Sequence, residues 1–334
     1  MAHPTIAPYG TWKSPITADL IVGGSISLGQ IVRDGADIYW TEMRPQEKGC
    51  YVVVRRTADG TTTDVNPAPF NARTRVHEYG GGSYTVHEGT LYFTNFADQR
   101  LYRQQSGGAP EALTPEGIDI RFADCVMDSQ RNRLIGVRED HRAADREAVN
   151  TIAALDLGTV GDGQVLVSGS DFFASPRLSP DGTQLSWQSW NHPNMPWDGC
   201  ELWLAPVLAD GSLGMPKLVA GGLEESIFQP QWSPDGTLYF VSDRSGWWNL
   251  YRLDGGTVEA VTQREAEFGA PQWVFGQSTY GFAGPDRIVC AYTTDGLWHL
   301  AAIDTRSLAF TPLESPYTTV GSLCVSGENV IFVG

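Results

Sequence analysis

Apolar and polar positions alternate most clearly in two stretches of the chain. From Ser175 it reads SPRLSPDGTQLSWQSWNHPNMPWDGCELWLAP, and from Gln229 it reads QPQWSPDGTLYFVSDRSGWWNLYRL. In each, a short alternating run meets Ser-Pro-Asp-Gly. Pro180 or Pro234 presets φ for a tight turn, the Asp side chain bonds back to the backbone, and Gly182 or Gly236 tolerates positive φ. Alternation resumes at Leu185–Gln188 and Leu238–Val241, crosses a polar loop, and returns at Glu201–Leu204 and Asn249–Arg252. Period-two runs bounded by turn residues predict strand, tight turn, strand, longer loop, strand: an antiparallel meander.

The first tight turn of this unit can be placed at Gly35, Gly89, Ser129, Gly182, Gly236, Asp286 and Gly327, in steps of 54, 40, 53, 54, 50 and 41 residues. Repeats of roughly 40–50 residues with four strands each predict a β-propeller, because one such sheet cannot bury both faces unless neighbours stack on it in a ring. The expected fold is all-β: a seven-bladed propeller of four-stranded antiparallel blades over residues 23–334. The blades fall at about 25–65, 82–114, 120–167, 171–219, 226–262, 272–313 and 320–334. The last is expected to lack roughly two strands, so that Gly334 is not the end of a finished fold. Residues 1–22 stand outside the repeat. Pro4, Pro8, Gly10 and Pro15 predict an extended course there, and Tyr9, Trp12 and Ile16 call for a surface to cover them. The three glycines in RTRVHEYGGGSY (73–84) predict a bulge or a close approach of two backbones. The charged EDHRAADREAVN (139–150) is the best short-helix candidate, and EAEFGAPQWVFG (265–276) is unusually apolar for a connector. Trp247 and Trp248 are expected to pack between blades.

A net charge of −16 argues against a nucleic-acid surface, since such affinity comes from Lys and Arg. The five cysteines are odd in number and scattered, with no C-x-x-C, which reads as reduced thiols in a cytoplasmic protein. The first residues lack the basic and apolar regions of a signal peptide, and no apolar run reaches membrane-helix length.

Several segments resemble the propeller half of the prolyl oligopeptidase family of serine peptidases, nearest its bacterial acylaminoacyl-peptidase and dipeptidyl- or aminopeptidase-like branch. They are YGTWKSPIT (9–17), RVHEYGGGSY (75–84), VREDH (137–141), WNHPNMPWDGCELW (190–203), SDRSGWWNLY (242–251) and EAEFGAPQWVFG (265–276). The resemblance implies a partner: a C-terminal α/β-hydrolase domain of the same polypeptide, carrying Ser, Asp and His. It also implies a short peptide or aminoacyl amide substrate, and an N-terminal segment that packs on the hydrolase domain. The G-x-S-x-G elbow of that domain is absent here: Ser83 follows Gly81 but precedes Thr85, and Ser278 follows Gly276 but precedes Tyr280. No catalytic residue is therefore expected in this chain.

Within RVHEYGGG, Glu78 is the first candidate to hold a substrate α-ammonium, as acidic propeller residues do in members that cleave from a free N-terminus. A carboxylate in a water-poor pocket does this through charge-assisted hydrogen bonds. The other reading is that Arg75, His77 and Glu78 only brace the glycine turn. Asn191, His192, Trp197 and Asp198 lie in a long loop stiffened by Pro193 and Pro196. It either walls a substrate pocket or caps its own blade. Glu139, Asp140 and His141 form either a second acidic site or a solvated charged loop. His77 and His87 lack a third ligand, and the glycines lack the Lys and Ser/Thr of a phosphate loop, so no metal and no cofactor are expected. A self-standing propeller that binds protein or ligand is the alternative function. A metal in the central channel is disfavoured by the first strands, taken as ISLGQIV, SYTV, ADCVM, SPRLS, QPQWS and RIVCAY.

Overall fold

The computed structural model describes residues 6–143 and 145–334. Six four-stranded antiparallel sheets and one two-stranded sheet follow one another along the chain. Blade one holds β1 (Ser27–Asp34), β2 (Asp37–Arg44), β3 (Cys50–Arg56) and β4 (Thr62–Asp64). Blade two holds β5 (Tyr84–His87), β6 (Thr90–Thr94), β7 (Leu101–Gln104) and β8 (Glu111–Ala112). Blade three holds β9 (Ile120–Asp128), β10 (Arg133–Asp140), β11 (Val149–Asp156) and β12 (Gln164–Val167). Blade four holds β13 (Phe172–Leu178), β14 (Gln184–Trp190), β15 (Glu201–Pro206) and β16 (Lys217–Gly221). Blade five holds β17 (Ile227–Trp232), β18 (Leu238–Ser242), β19 (Asn249–Asp254) and β20 (Thr257–Ala260). Blade six holds β21 (Tyr280–Gly284), β22 (Arg287–Thr294), β23 (Leu297–Asp304) and β24 (Phe310–Leu313). The seventh sheet pairs β25 (Gly321–Ser326) with β26 (Asn329–Val333).

All seven expected turns fall between the first and second strands of their sheets. The Ser-Pro-Asp-Gly turns form as their chemistry dictates. Gly182 sits at φ 67°, its N–H donates to the Ser179 carbonyl at 2.8 Å, and Asp181 accepts from the Thr183 N–H at 3.1 Å. In blade six the assignment shifts: RIVCAY lies in the second strand, and Tyr280–Gly284 is the first. Residues 139–150 contain no helix among the described residues. Glu139 and Asp140 extend β10 and pair with Asn150 and Val149 of β11, and Asp140 is tied to the Arg142 guanidinium at 2.6 Å. Where an extended course was expected near the start, Thr17 caps a short helix, α1 (Ala18–Val22), by accepting from the Leu20 N–H.

The core lies between the blades. Tyr39, Val53, Tyr84 and Phe93 join blades one and two; Phe122, Leu134 and Leu155 fill the space between two and three; Phe228, Val241, Tyr280 and Ile288 join five and six. Trp248 stacks beside Phe228 in this last cluster, whereas Trp247 is 40% exposed, so only one of the two tryptophans packs between blades.

The innermost strands face the axis and carry a device the alternation does not reveal. Gln30, Asp124 and Gln229 each adopt a left-handed φ (42°, 53° and 46°) at a bulge of β1, β9 and β17. The bulge releases the side chain from its own sheet toward the next one. Gln30 donates to the Tyr84 carbonyl (2.6 Å) and accepts from the Ser83 N–H (3.1 Å). Gln229 donates to the Tyr280 carbonyl (2.8 Å) and accepts from the Thr279 N–H (2.6 Å). The hydroxyls of Tyr84 and Tyr280 donate back to the carbonyls of Gln30 and Gln229. Asp124 accepts from the Ser175 N–H (2.9 Å) and the Arg177 guanidinium (3.0 Å). Blades one and two, three and four, and five and six are thus clasped in pairs.

Leaving buried backbone partners unsatisfied costs about 1–3 kcal/mol. Gln229→Ala is expected to lower stability by about that amount, seen as a lower denaturant midpoint at unchanged slope. An unchanged midpoint would show that the clasp contributes nothing.

Candidate functional site

The first strands begin, and the loops between second and third strands project, on one face of the ring. There the segment 77–80, the β10–β11 loop, the start of β13, the β14–β15 loop and residues 272–275 enclose a cavity of about 860 Å³. His77, Glu78 and His192 line it. Arg75, Asn191, Trp197 and Asp198 do not.

The glycine run lies beneath the cavity, and Gly80 lines it. Gly80, Gly81 and Gly82 take φ of 71°, 84° and 53°. Gly81 forms a parallel bridge with Phe275, whose N–H donates to the Gly80 carbonyl at 3.0 Å. A Cβ at position 81 would fall on the Phe275 carbonyl oxygen, and one at 82 would lie 2.8 Å from the Phe275 Cβ. The close approach of two backbones expected from this run is therefore present, and its second partner is the apolar connector before blade six.

The turn also places His77, at φ 53°, inside a ring of aromatic side chains. Its imidazole lies 4.8 Å from Phe275, 5.1 Å from Phe172 and 5.7 Å from Trp190. Burial pulls its pKa down to about 4, only weakly opposed by the Asn150 carboxamide beside it, so the ring is neutral near pH 7. Neither its Nε2 nor the Asn150 Oδ1 has a hydrogen-bond partner.

Glu78 differs from the expected enclosure. Its side chain is 78% exposed, and its nearest cation, Arg121, stands 3.7 Å away. The enclosed carboxylate is Glu139, at the end of β10. It accepts from the His77 N–H (3.1 Å), meets the His141 Nε2 at 2.7 Å, and faces the Arg121 guanidinium at 3.6 Å. Its position opposite the glycine turn follows from the stacking of neighbouring blades, not from spacing, so only the acidic character of VREDH was readable beforehand.

The remaining candidates are spread out. Arg75 is exposed and lies over Phe96, outside the cavity. His192 Nδ1 and N–H both meet Asp171 at 3.0 Å, and these contacts hold the Asp171 carboxyl below its ordinary range. Asn191 accepts from the Asp171 N–H, and Asp198 accepts from the Met195 N–H, so both brace the loop. Trp197 packs 4.4 Å from Trp273, which in turn lies 5.7 Å from Tyr79. The long loop is therefore docked on the apolar connector. Among the described residues no group of three His, Cys, Asp or Glu is placed to hold a metal ion.

Two consequences can be measured. Between pH 6.5 and 4 the unfolded chain protonates His77 while the folded chain does not, so stability falls as pH drops through that window. The loss attributable to His77 is about 2–3 kcal/mol between pH 7 and 4.5, and His77→Leu should flatten the urea midpoint over that range. Gly81→Ala should lower the midpoint at every pH, because the strained φ and the Phe275 contact do not titrate.

No family model and no curated protein matches the chain. Solved structures do. A puromycin hydrolase is 35% identical, with TM-score 0.88, over 98% of this chain and 53% of its own. A puromycin-hydrolyzing peptidase of Mycobacterium tuberculosis is 36% identical with the same coverages and TM-score. Prolyl oligopeptidase B of Galerina marginata shares the fold alone, at 11% identity and TM-score 0.65, over 91% of this chain and 46% of its own. The chain spans about half the length of these proteins. Its ring of sheets and its 35–36% identity to the puromycin hydrolases over 98% of its length make it the N-terminal β-propeller of a member of the prolyl oligopeptidase family.

Proposed function

We propose that this chain is the non-catalytic half of a cytoplasmic serine exopeptidase whose α/β-hydrolase domain lies C-terminal in the same polypeptide. The observation that carries this reading is the 35–36% identity to puromycin hydrolases along 98% of the chain, which accounts for only about half of each of those proteins. Acyl transfer is then performed by Ser, His and Asp of that domain, with His as general base and an oxyanion hole for the tetrahedral intermediate. The propeller covers that centre and admits short or unfolded peptides. The cavity-bearing face turns toward it.

Residues 6–22 pack on the same domain in this reading; residues 1–5, with Pro4, lie outside the described residues. Support comes from Tyr9 at 94% and Trp12 at 62% exposure, which leaves two large aromatic side chains in want of a surface. The two-stranded sheet begins a seventh blade. Five free cysteines fit a reducing compartment. Glu78 holds the α-ammonium of the substrate at the cavity mouth, and the docked loop carrying Asn191, His192, Trp197 and Asp198 walls the cavity's rim.

The test compares residues 1–334 with the full polypeptide on puromycin, an aminoacyl amide, and on its Nα-acylated form. The full polypeptide should hydrolyse puromycin, and the isolated chain should hydrolyse neither. Glu78→Gln in the full polypeptide should raise KM for the free amine severalfold, up to about tenfold for one charge-assisted hydrogen bond, and leave the acylated compound unaffected. Turnover by residues 1–334 alone would overturn the reading. Binding without hydrolysis by the full polypeptide would establish the binding module instead.

A further inference from the structure

The space along the ring axis is lined by all seven innermost strands, among them Gln30, Tyr84, Asp124, Gln229, Tyr280 and Cys324, and has a volume of about 310 Å³. Residues 269–277 leave blade five, reach across the ring to the glycine turn before blade two, and come back to start blade six. The crossing is fixed at both ends. On the blade five and six side, Glu267 exchanges two backbone hydrogen bonds with Thr293, the Phe268 N–H donates to the Trp248 carbonyl, and the Thr279 hydroxyl donates to the Phe268 carbonyl. On the far side, Phe275 is bonded and bridged to Gly80 and Gly81, and Gly276 lies against Gly82 and the Gln30 side chain.

Phe275, 5% exposed, shares a core cluster with Val76 of the turn before blade two and with Ala123 and Ala174 of the innermost strands of blades three and four. It forms part of the wall of the 860 Å³ cavity on one side and of a second hollow of about 430 Å³ on the other, while its neighbours Gly276 and Gln277 border the axial space. The segment is thus a strap laid across the mouth of the channel. Its far anchor is fixed: Phe275 is buried, its N–H is bonded to the Gly80 carbonyl, and the glycines beneath it leave no room for a gap, while Pro271 and Trp273 between the two anchors face solvent.

We infer that this strap is a permanent closure of the axial channel, so that a peptide reaches the loop-face cavity from the rim of the propeller and not through the ring. The inference rests on the peptidase reading for its substrate, but the closure itself does not. A chain threading the channel would have to break the Phe275–Gly80 hydrogen bond and pull Phe275 out of its cluster, whereas entry from the rim disturbs neither.

The test obstructs the channel without touching the cavity. Cys324 borders the axial space and is half-buried. In the full polypeptide it is alkylated with a bulky maleimide, the adduct is verified by mass, and Cys324→Ser treated with the same reagent serves as the control. Peptide turnover within twofold of the control is expected. A loss of tenfold or more, absent from the control, would overturn the inference. Amide hydrogen exchange gives a readout that needs no activity. The Phe275 N–H should exchange as slowly as those of the innermost strands, and exchange at the rate of exposed loops would equally overturn it. If the full polypeptide hydrolyses no peptide, the peptidase reading fails while the exchange measurement still decides the strap.

Discussion

Everything in this molecule depends on burying both faces of sheets that are too small to stand alone. Stacking supplies the apolar contacts, but it also brings innermost strands together near the axis, where backbone groups have lost water and lie beyond the reach of their own ladders. An unsatisfied group there would cost as much as several good apolar contacts supply. The fold meets this with left-handed residues whose side chains turn out of their own sheet. Gln30, Asp124 and Gln229 act as borrowed backbone for the neighbouring blade. A carboxamide is well suited to the task because it offers a donor and an acceptor at the spacing of a peptide group.

The strand–turn–strand order was legible because it is local. Turn chemistry at Gly182 and Gly236 and the alternation around them determine pleat and register, and all seven turns follow. What escaped was non-local or competitive. RIVCAY reads as a first strand because it is an apolar run after a turn, yet Tyr280–Gly284 takes that place and is clasped by Gln229. The charged stretch from Glu139 reads as a helix by composition, but strand pairing with Asn150 and the Arg142–Asp140 ion pair win.

The site shows the same division. RVHEYGGG stood out because three glycines in a row are costly unless space is short, and the space is indeed short at Phe275. Which of its neighbours would be enclosed could not be read, because enclosure is decided by elements arriving from blades three, four and five. His77 ends among aromatic rings and Glu78 in solvent, though they are adjacent in sequence and both left-handed. The buried carboxylate, Glu139, comes from another blade.

The meeting of Gly81 with Phe275 also bears on the order in which the molecule assembles. The two segments are separated by the whole of blades two to five, so the loop entropy of joining them is met only after those sheets have stacked. The cavity floor is therefore among the last features a folding chain acquires. A partly folded ring can hold most of its strands and still present no pocket, which ties the appearance of a ligand-ready surface to the completion of the fold.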